Sequence, residues 1–565
     1  DKKAKGKKAR PVRSDADGGA LRAVNAQTGQ VLWHKDIPAL RGLDLALCQG
    51  RIVYQAGGSL CCLDARSGKE LWQVQPKVRA ARTMVAAEGA VVLHGGQTLE
   101  ARSLDDGKAL WDHDARPGVG IGTCDLFIIR GAVWPGVQMV DVDRKPGKKA
   151  ENGLAIGYDL RTGKPMKEIF VGELFSPEHH HRCYRNKATD RFMITSYEGA
   201  EYLDVQGSDH GQNNFVRGAC KYGMLPANGL LYAPPDQCFC QPGSKILGFN
   251  ALAPRADKPT AETSDDQRLQ RGAAFADASA AKADDPAAPA DWPTFRADPA
   301  RHGSTPAGVP AELSEAWRVK LGGALTAPVA VGDRAYVASA DAHTIHALDL
   351  TTGRTAWSFV AGGRIDSPPT VHGALLLFGS ADGFVYCLRR SDGALAWRFQ
   401  AAPAVRLIMA REQVESAWPV HGSVLVRDGV AYCTAGRSTY IDGGIRLWGL
   451  DIPTGKILHR GLLYGPQPDG KDVKRDLAFF IRGANCDVLT AEGDAIYMRQ
   501  KKLTPELKEI VVEPVSNKGE SDVGRHVFST AGLLDSSWYN RTFWMYASRW
   551  PGFQLANQAP KSGQL

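Results

Sequence analysis

The chain has 565 residues, 43% of them hydrophobic, with 61 glycines and 32 prolines, a composition that suits short strands joined by many turns. No run approaches the roughly 20 apolar residues that cross a bilayer as a helix. The net charge of +8 is concentrated at one end: Lys2, Lys3, Lys5, Lys7, Lys8, Arg10 and Arg13 against Asp1 supply most of it. The remainder is nearly neutral, so nothing marks a nucleic-acid-binding face. Residues 1–17 read as a basic disordered tail, with an anchor for an anionic surface as the alternative.

From residue 18 onward one phrase recurs. It reads AVNAQTGQVLW at 23–33, CLDARSGKELW at 62–72 and ARSLDDGKALW at 101–111, then ALDLTTGRTAW at 347–357 and CLRRSDGALAW at 387–397. GYDLRTGKPMK at 157–167 and GLDIPTGKILH at 449–459 keep the turn without the terminal Trp. In each copy an apolar alternation runs into Thr-Gly, Ser-Gly or Asp-Gly, which predicts two strands joined by a tight hairpin. Asp64, Asp159, Asp349 and Asp451 open their turns, where a carboxylate bonds nearby backbone N–H groups. The closest copies begin near forty residues apart, the length of a four-stranded propeller blade. The fold expected is all-β: a β-propeller of four-stranded antiparallel blades, eight or more in number, with a ring closed by strands from both termini so that no edge is exposed.

The pattern divides the chain. Residues 18–254 hold the first part of the blades, with a basic loop at Asp143–Asn152 interrupting the fourth unit and an irregular, Cys- and His-rich stretch at 171–254. Residues 255–290 are rich in Ala, Asp and Pro and read as an exposed insertion, with one short helix after Ser264. Residues 291–565 resume the blades and end in a degenerate closing segment. The N-terminus lacks a signal peptide and the C-terminus stops at the opening of a strand, which predicts a portion of a longer protein.

Four blocks do not follow from blade packing. The first two, around His179, His180, His181, Arg182, Cys183 and Arg185 and from Arg217 through Cys220 to Cys238 and Cys240, bring together ligand types for Zn or Cu. Their spacing matches no standard zinc pattern, and a disulfide staple is the plainer reading. Cys220 with Cys238 or Cys240 is the pairing expected, since the segment between resembles a hairpin; unpaired packed thiols remain a third reading. Eleven cysteines fit an exported protein if some of them pair. Cys62 and Cys387 occupy the small position of the repeated phrase and read as packed thiols. The neighbouring Cys61 and Cys62 lie on a strand with alternating directions, which disfavours a vicinal bridge. The other two blocks run from Glu415 to Ser423, with Arg437 and Asp442 following, and from Ser529 to Arg541. Arg182, Arg185, His421, Arg437, Asp442 and Arg541 are the polar side chains expected around the axis, where arginine suits a carboxylate or phosphate. Inter-blade ion pairs are the alternative for the same residues.

The repeated phrase resembles the tryptophan-docking motif of the pyrroloquinoline-quinone (PQQ)-type propellers, A-x-D-x-x-T-G-K-x-x-W. That resemblance implies that Trp33, Trp72, Trp111, Trp357 and Trp397 pack against the small residue and turn peptide of a neighbouring blade. With the phrase DWPTFR at 291–296, the four blocks are similar to a large bacterial family of PQQ-like repeat proteins. This resemblance covers nearly everything from residue 155 onward. It implies an exported, periplasmic or cell-surface protein and supplies no reaction; the repeat by itself suits a binding or scaffold module with a protein or polymer partner. The alternatives are a quinoprotein oxidoreductase holding PQQ and Ca²⁺, or a Zn or Cu site between His179 and Cys240. The T-G-N-P-x-P-W-type segment of the dehydrogenases is not found, nor is a C-x-x-C-H haem attachment.

Overall fold

The computed structural model describes residues 18–40, 43–114, 124–139, 152–170, 174, 184–196, 199–213, 215–235, 246, 248–254, 260–280, 288–465, 483–498, 501–510, 526–527 and 546–547. They belong to two compact units, residues 1–236 and 237–565. The fold is all-β, built of four-stranded antiparallel sheets of the propeller-blade type. Eight antiparallel sheets of four or more strands are formed among the described residues.

In the first unit a hairpin of Gly18–Val24 and Val31–Pro38 precedes two regular blades. One runs through Leu45–Cys48, Arg51–Ala56, Ser59–Asp64 and Glu70–Val74; the next through Thr83–Ala87, Ala90–His94, Thr98–Ser103 and Ala109–Asp114. A five-stranded sheet between Phe127 and Phe170 and a blade from Lys187 to Asn213 follow. The second unit holds blades over residues 329–360, 370–400, 425–463 and 490–510. In the regular four-stranded blades each strand pairs with its sequence neighbour. The second and third strands carry the core, as in the continuously buried Leu375–Gly379, while the outermost strands alternate toward solvent. The loop at 143–151 and most of the proposed closing segment lie outside the described residues.

The repeated phrase builds the third-to-fourth strand hairpin of the blades that carry it. Asp349 accepts bonds from the backbone N–H groups of Thr351 and Thr352 at 3.0 and 2.9 Å and from the Thr352 hydroxyl, which lower its carboxyl pKa. Gly353 follows at φ 68°, and a one-residue register shift falls between Ala347 and Leu348. The bulge recurs at Cys62/Leu63, Cys387/Leu388 and Gly449/Leu450. An extra residue compensated by a positive-φ glycine increases the local twist.

Each phrase Trp reaches into the next blade's turn. The indole N–H donates to the carbonyl after the turn-opening residue: Trp33 to Ala65 at 3.0 Å, Trp72 to Leu104 at 3.0 Å and Trp111 to Leu160 at 2.9 Å. Trp357 reaches Arg390 and Trp397 reaches Ile452, both at 3.0 Å. The ring covers that turn's glycine so closely that a Cβ on Gly393 would lie 2.5 Å from Trp357. Cys62, Ala347 and Cys387 stand opposite Trp72, Trp357 and Trp397 of their own sheets. A small side chain there leaves one face of the sheet open to the indole.

The segment read as an exposed insertion is in part a component of a blade. Residues Asp265–Arg268 form the short helix expected after Ser264, and Leu269–Arg271 adds a fifth strand to Leu395–Gln400. A second short helix, Phe275–Ser279, buries Ala278 beside Ala274 in the core around Trp397. Low apolar content misled because alanine and one arginine provide the attachment. Arg268 is buried and donates to the carbonyls of Gln400 and Ala402 at 3.0 and 2.9 Å. Cys61 and Cys62 are both free thiols within the core, and Cys387 is fully buried.

Candidate functional site

In a four-stranded meander, the turn between strands two and three and the connection leaving strand four emerge at the same edge. In the second unit four such segments converge: residues 361–369, 401–424, 436–444 and 483–489. Cross-connections fix them. The N–H of Gly436 bonds the Pro419 carbonyl at 3.1 Å, and that of Cys486 bonds Arg437 at 2.8 Å. Gly379 and Gly422 are glycine for lack of room: a Cβ on the first would lie 2.1 Å from the His421 carbonyl oxygen, and one on the second 2.3 Å from that of Ser367.

His421 Nδ1 lies 2.6 Å from an Asp366 oxygen, and both side chains are largely buried. The other Asp366 oxygen accepts from the Ser367 hydroxyl at 2.9 Å and the Gly422 N–H at 3.0 Å. Burial opposes the charge on the ring, but the carboxylate, assisted by the Cys486 sulfur, outweighs it and raises the His421 pKa to about 10. Burial likewise opposes charge on Asp366, yet His421 and the hydrogen bonds hold its carboxyl well below the usual range. The pair is therefore charged at neutral pH. Cys486 completes the arrangement, its Sγ 3.0 Å from Thr434 Oγ1.

Beside this pair, Glu415 is buried between two guanidiniums, 2.9 Å from Arg437 and 3.5 Å from Arg364. The charges of Arg411 and these three residues act on one another. Arg406 pairs with Asp442 and lies 4.8 Å over the Trp418 ring, whose N–H donates to the Asp442 carbonyl at 2.7 Å.

Of the residues expected at the axis, His421, Arg437 and Asp442 lie in this network, each with a partner from another connection. Arg185 lies in the first unit, where its guanidinium bonds Thr83 and the Cys124 carbonyl. Cys220 Sγ is 3.8 Å from Arg217 Nη2. His179, His180, His181, Arg182, Cys183, Cys238, Cys240 and Arg541 lie outside the described residues. Sequence reasoning did not single out Asp366, Arg364, Arg411 or Cys486. It included Glu415 only as the start of a non-repeat block, which was the available signal.

A Ca²⁺ ion does not fit this donor set. Asp366, Glu415 and Asp442 each already face a cation, and a dication would have to break those pairs. Among the described residues no group of three or more His, Cys, Asp or Glu could hold a metal ion.

The sequence matches the family described as "Outer membrane protein assembly factor BamB" over residues 17–173 and 311–458, together just over half of the chain. It is 37% identical over 78 residues to the outer membrane protein assembly factor BamB of Moranella endobia (strain PCIT), covering 14% of this chain and 19% of the relative. It is 33% identical over 141 residues to the DNA damage-responsive serine/threonine-protein kinase RqkA of Deinococcus radiodurans, covering 24% of this chain and 21% of that protein. The matches thus span about a fifth of the length of these curated relatives. The crystal structure of BamB from Moraxella catarrhalis is similar at 14% identity and a TM-score of 0.28, covering 67% of this chain and 88% of that one.

Proposed function

The chain belongs to the family described as outer membrane protein assembly factor BamB, and from that membership we propose that it is an exported binding scaffold whose blade-edge loops engage a protein partner outside the cytoplasm. The observation that carries this reading is a hairpin set between two blades of the second unit, Leu407–Ala410 with Gln413–Ser416. It exposes Leu407, Met409 and Val414, with Met409 70% accessible, and Val405 just before it is exposed as well. Apolar residues clustered on a short projecting element are the usual mark of a protein-binding surface.

The hairpin has a rigid root. Glu415 is buried between Arg437 and Arg364, and the Ala417 N–H bonds the Arg406 carbonyl at 2.9 Å. Its turn is made by Arg411 and Glu412 at φ 51° and 64°, a left-handed conformation that costs non-glycine residues roughly 1–2 kcal/mol each. The polar network, on this reading, positions the hairpin, so that little ordering entropy is lost on binding.

Site-specific photo-crosslinking in the native cell tests the proposal. A crosslinker at Met409 is expected to give a discrete adduct with one protein in the extracytoplasmic fraction, whereas one at the exposed Leu313 of the same unit is not. Identical patterns at the two positions, or recovery of the chain in the cytosol alone, would refute it.

A further inference from the structure

Independently of that scaffold reading, we propose that Arg82, Arg185 and His94 of the first unit form a binding site for an oxyanion, a carboxylate or a phosphate. The three residues come from different segments; backbone pairing brings Arg82 and His94 together, and Arg185 joins them through its guanidinium. The Arg82 N–H bonds the His94 carbonyl at 2.8 Å, and Thr83 stands opposite His94 in the register. Arg185, from the connection before the blade at Lys187, reaches the same place. Its Nη1 is 2.8 Å from Thr83 Oγ1 and 3.3 Å from the Cys124 carbonyl, and its Nη2 is 3.4 Å from the Arg82 carbonyl.

His94 is fully buried. Its Nδ1 accepts the Gly96 N–H at 3.0 Å, which places the ring proton on Nε2. Nε2 is itself buried, with no acceptor among the described residues. A buried donor of this kind costs about 1–3 kcal/mol unless it is satisfied. Burial, and then the charges of Arg82 and Arg185, lower the His94 pKa to about 4, so the imidazole is a neutral donor beside two cations. Arg82 is exposed and rests against Gly96, where a Cβ would lie 3.4 Å from its guanidinium carbon. Lys187 adds a third positive charge, and Asp125 is the carboxyl facing Arg185 and Lys187. Guanidinium groups with a neutral N–H donor suit an oxygen anion rather than a cation.

Isothermal titration of the whole chain at pH 7.5 and constant ionic strength tests the site with sodium phosphate and sodium acetate against sodium chloride. At least one of the two is expected to bind saturably, with an affinity about tenfold or more weaker in Arg82→Gln and Arg185→Gln and unchanged in Arg318→Gln of the second unit. Tighter phosphate would point to a phosphoryl group, tighter acetate to a side-chain or terminal carboxylate. Arg185 bridges several segments, and if Arg185→Gln fails to fold, a nitrogen-detected NMR signal of the His94 ring in the native protein takes its place. That signal is expected to shift on titration. Binding no tighter than chloride, equal binding by Arg82→Gln, or a His94 signal unmoved at saturation would overturn the proposal.

Discussion

His421 and Asp366 are 55 residues apart in sequence, yet ring nitrogen and carboxylate oxygen meet at 2.6 Å in the interior of the second unit. The histidine pKa rises from an unfolded value of roughly 6.5 to about 10. The folded state therefore binds more protons than the unfolded state between those values. The stability this pair contributes is complete below roughly pH 6.5 and is lost as pH rises through about 10. Asp366, whose pKa is depressed, gives the opposite edge: its contribution is lost as acid takes the pH below the ordinary carboxylate range. Urea midpoints measured from pH 6 to 10 are expected to fall more steeply in the native protein than in His421→Gln. Parallel curves would show that the pair is not coupled to folding.

The tryptophan joints should differ in strength according to their burial. Trp397 is fully buried, with its N–H on Ile452 and its ring over Gly455. Replacement by Ala is expected to cost about 3–5 kcal/mol, the range for large aromatic truncations. Trp397→Phe keeps much of the apolar contact and loses the hydrogen bond, for about 1 kcal/mol of the total. Trp33 is only part-buried against Ala65, so Trp33→Ala should cost less than Trp397→Ala. Denaturant unfolding monitored by circular dichroism ranks the three; equal losses at both joints would contradict the argument from burial.

The hairpins and their indoles were legible in the sequence because a tight turn is a local event. Asp, Gly and Trp at fixed offsets specify the bulge, the positive φ and the ring's reach. Trp317 shows where that reading stopped short. Its N–H bonds the Leu350 carbonyl at 2.8 Å and its ring covers Gly353, like the others, but the head of its phrase is missing. Period alone would have located it, since Trp317, Trp357 and Trp397 stand forty residues apart. The polar network was legible only in fragments. His421, Arg437 and Asp442 stood out because their segments break the repeat, whereas Asp366 lies in a short connection whose role depends on a residue two strands and one blade further along. Arg268 was hidden for another reason: a buried arginine answering backbone carbonyls leaves no hydrophobic pattern.

Gly422 carries a more specific expectation. Its N–H bonds Asp366 at 3.0 Å and its carbonyl accepts from Gly379 at 3.1 Å, with no space for a methyl group beside Ser367. Gly422→Ala should therefore displace the His421 segment, at a cost of about 1–3 kcal/mol for overpacking. The His421 ring should titrate closer to its ordinary range as Asp366 moves away. A ring titration by NMR reads this directly, and an unchanged midpoint would mean that the strand edge yields instead.

The attachment of residues 261–280 to the blade at 370–400 rests on Arg268. Its guanidinium satisfies the carbonyls of Gln400 and Ala402 and lies 5.0 Å from the Trp448 ring centre. Around it, Asp265 pairs with Arg460 at 2.6 Å and Glu262 with Arg446, exposed enough to contribute little each. Removing Arg268 takes this donor from the buried Gln400 carbonyl and leaves the Ala402 carbonyl with the Gln400 amide at 3.3 Å, at a cost of about 1–3 kcal/mol. The surrounding ion pairs cannot make up that loss. The added strand at Leu269–Arg271 covers the edge of Leu395–Gln400, so its release would expose backbone groups that pair readily with other chains. Arg268→Ala is therefore expected to open cleavage sites in 261–280 to limited proteolysis while the blades stay folded, and to increase aggregation on warming. If the segment remains protected in that variant, the alanine contacts of Ala274 and Ala278 hold it, and Arg268 is not its main fastening.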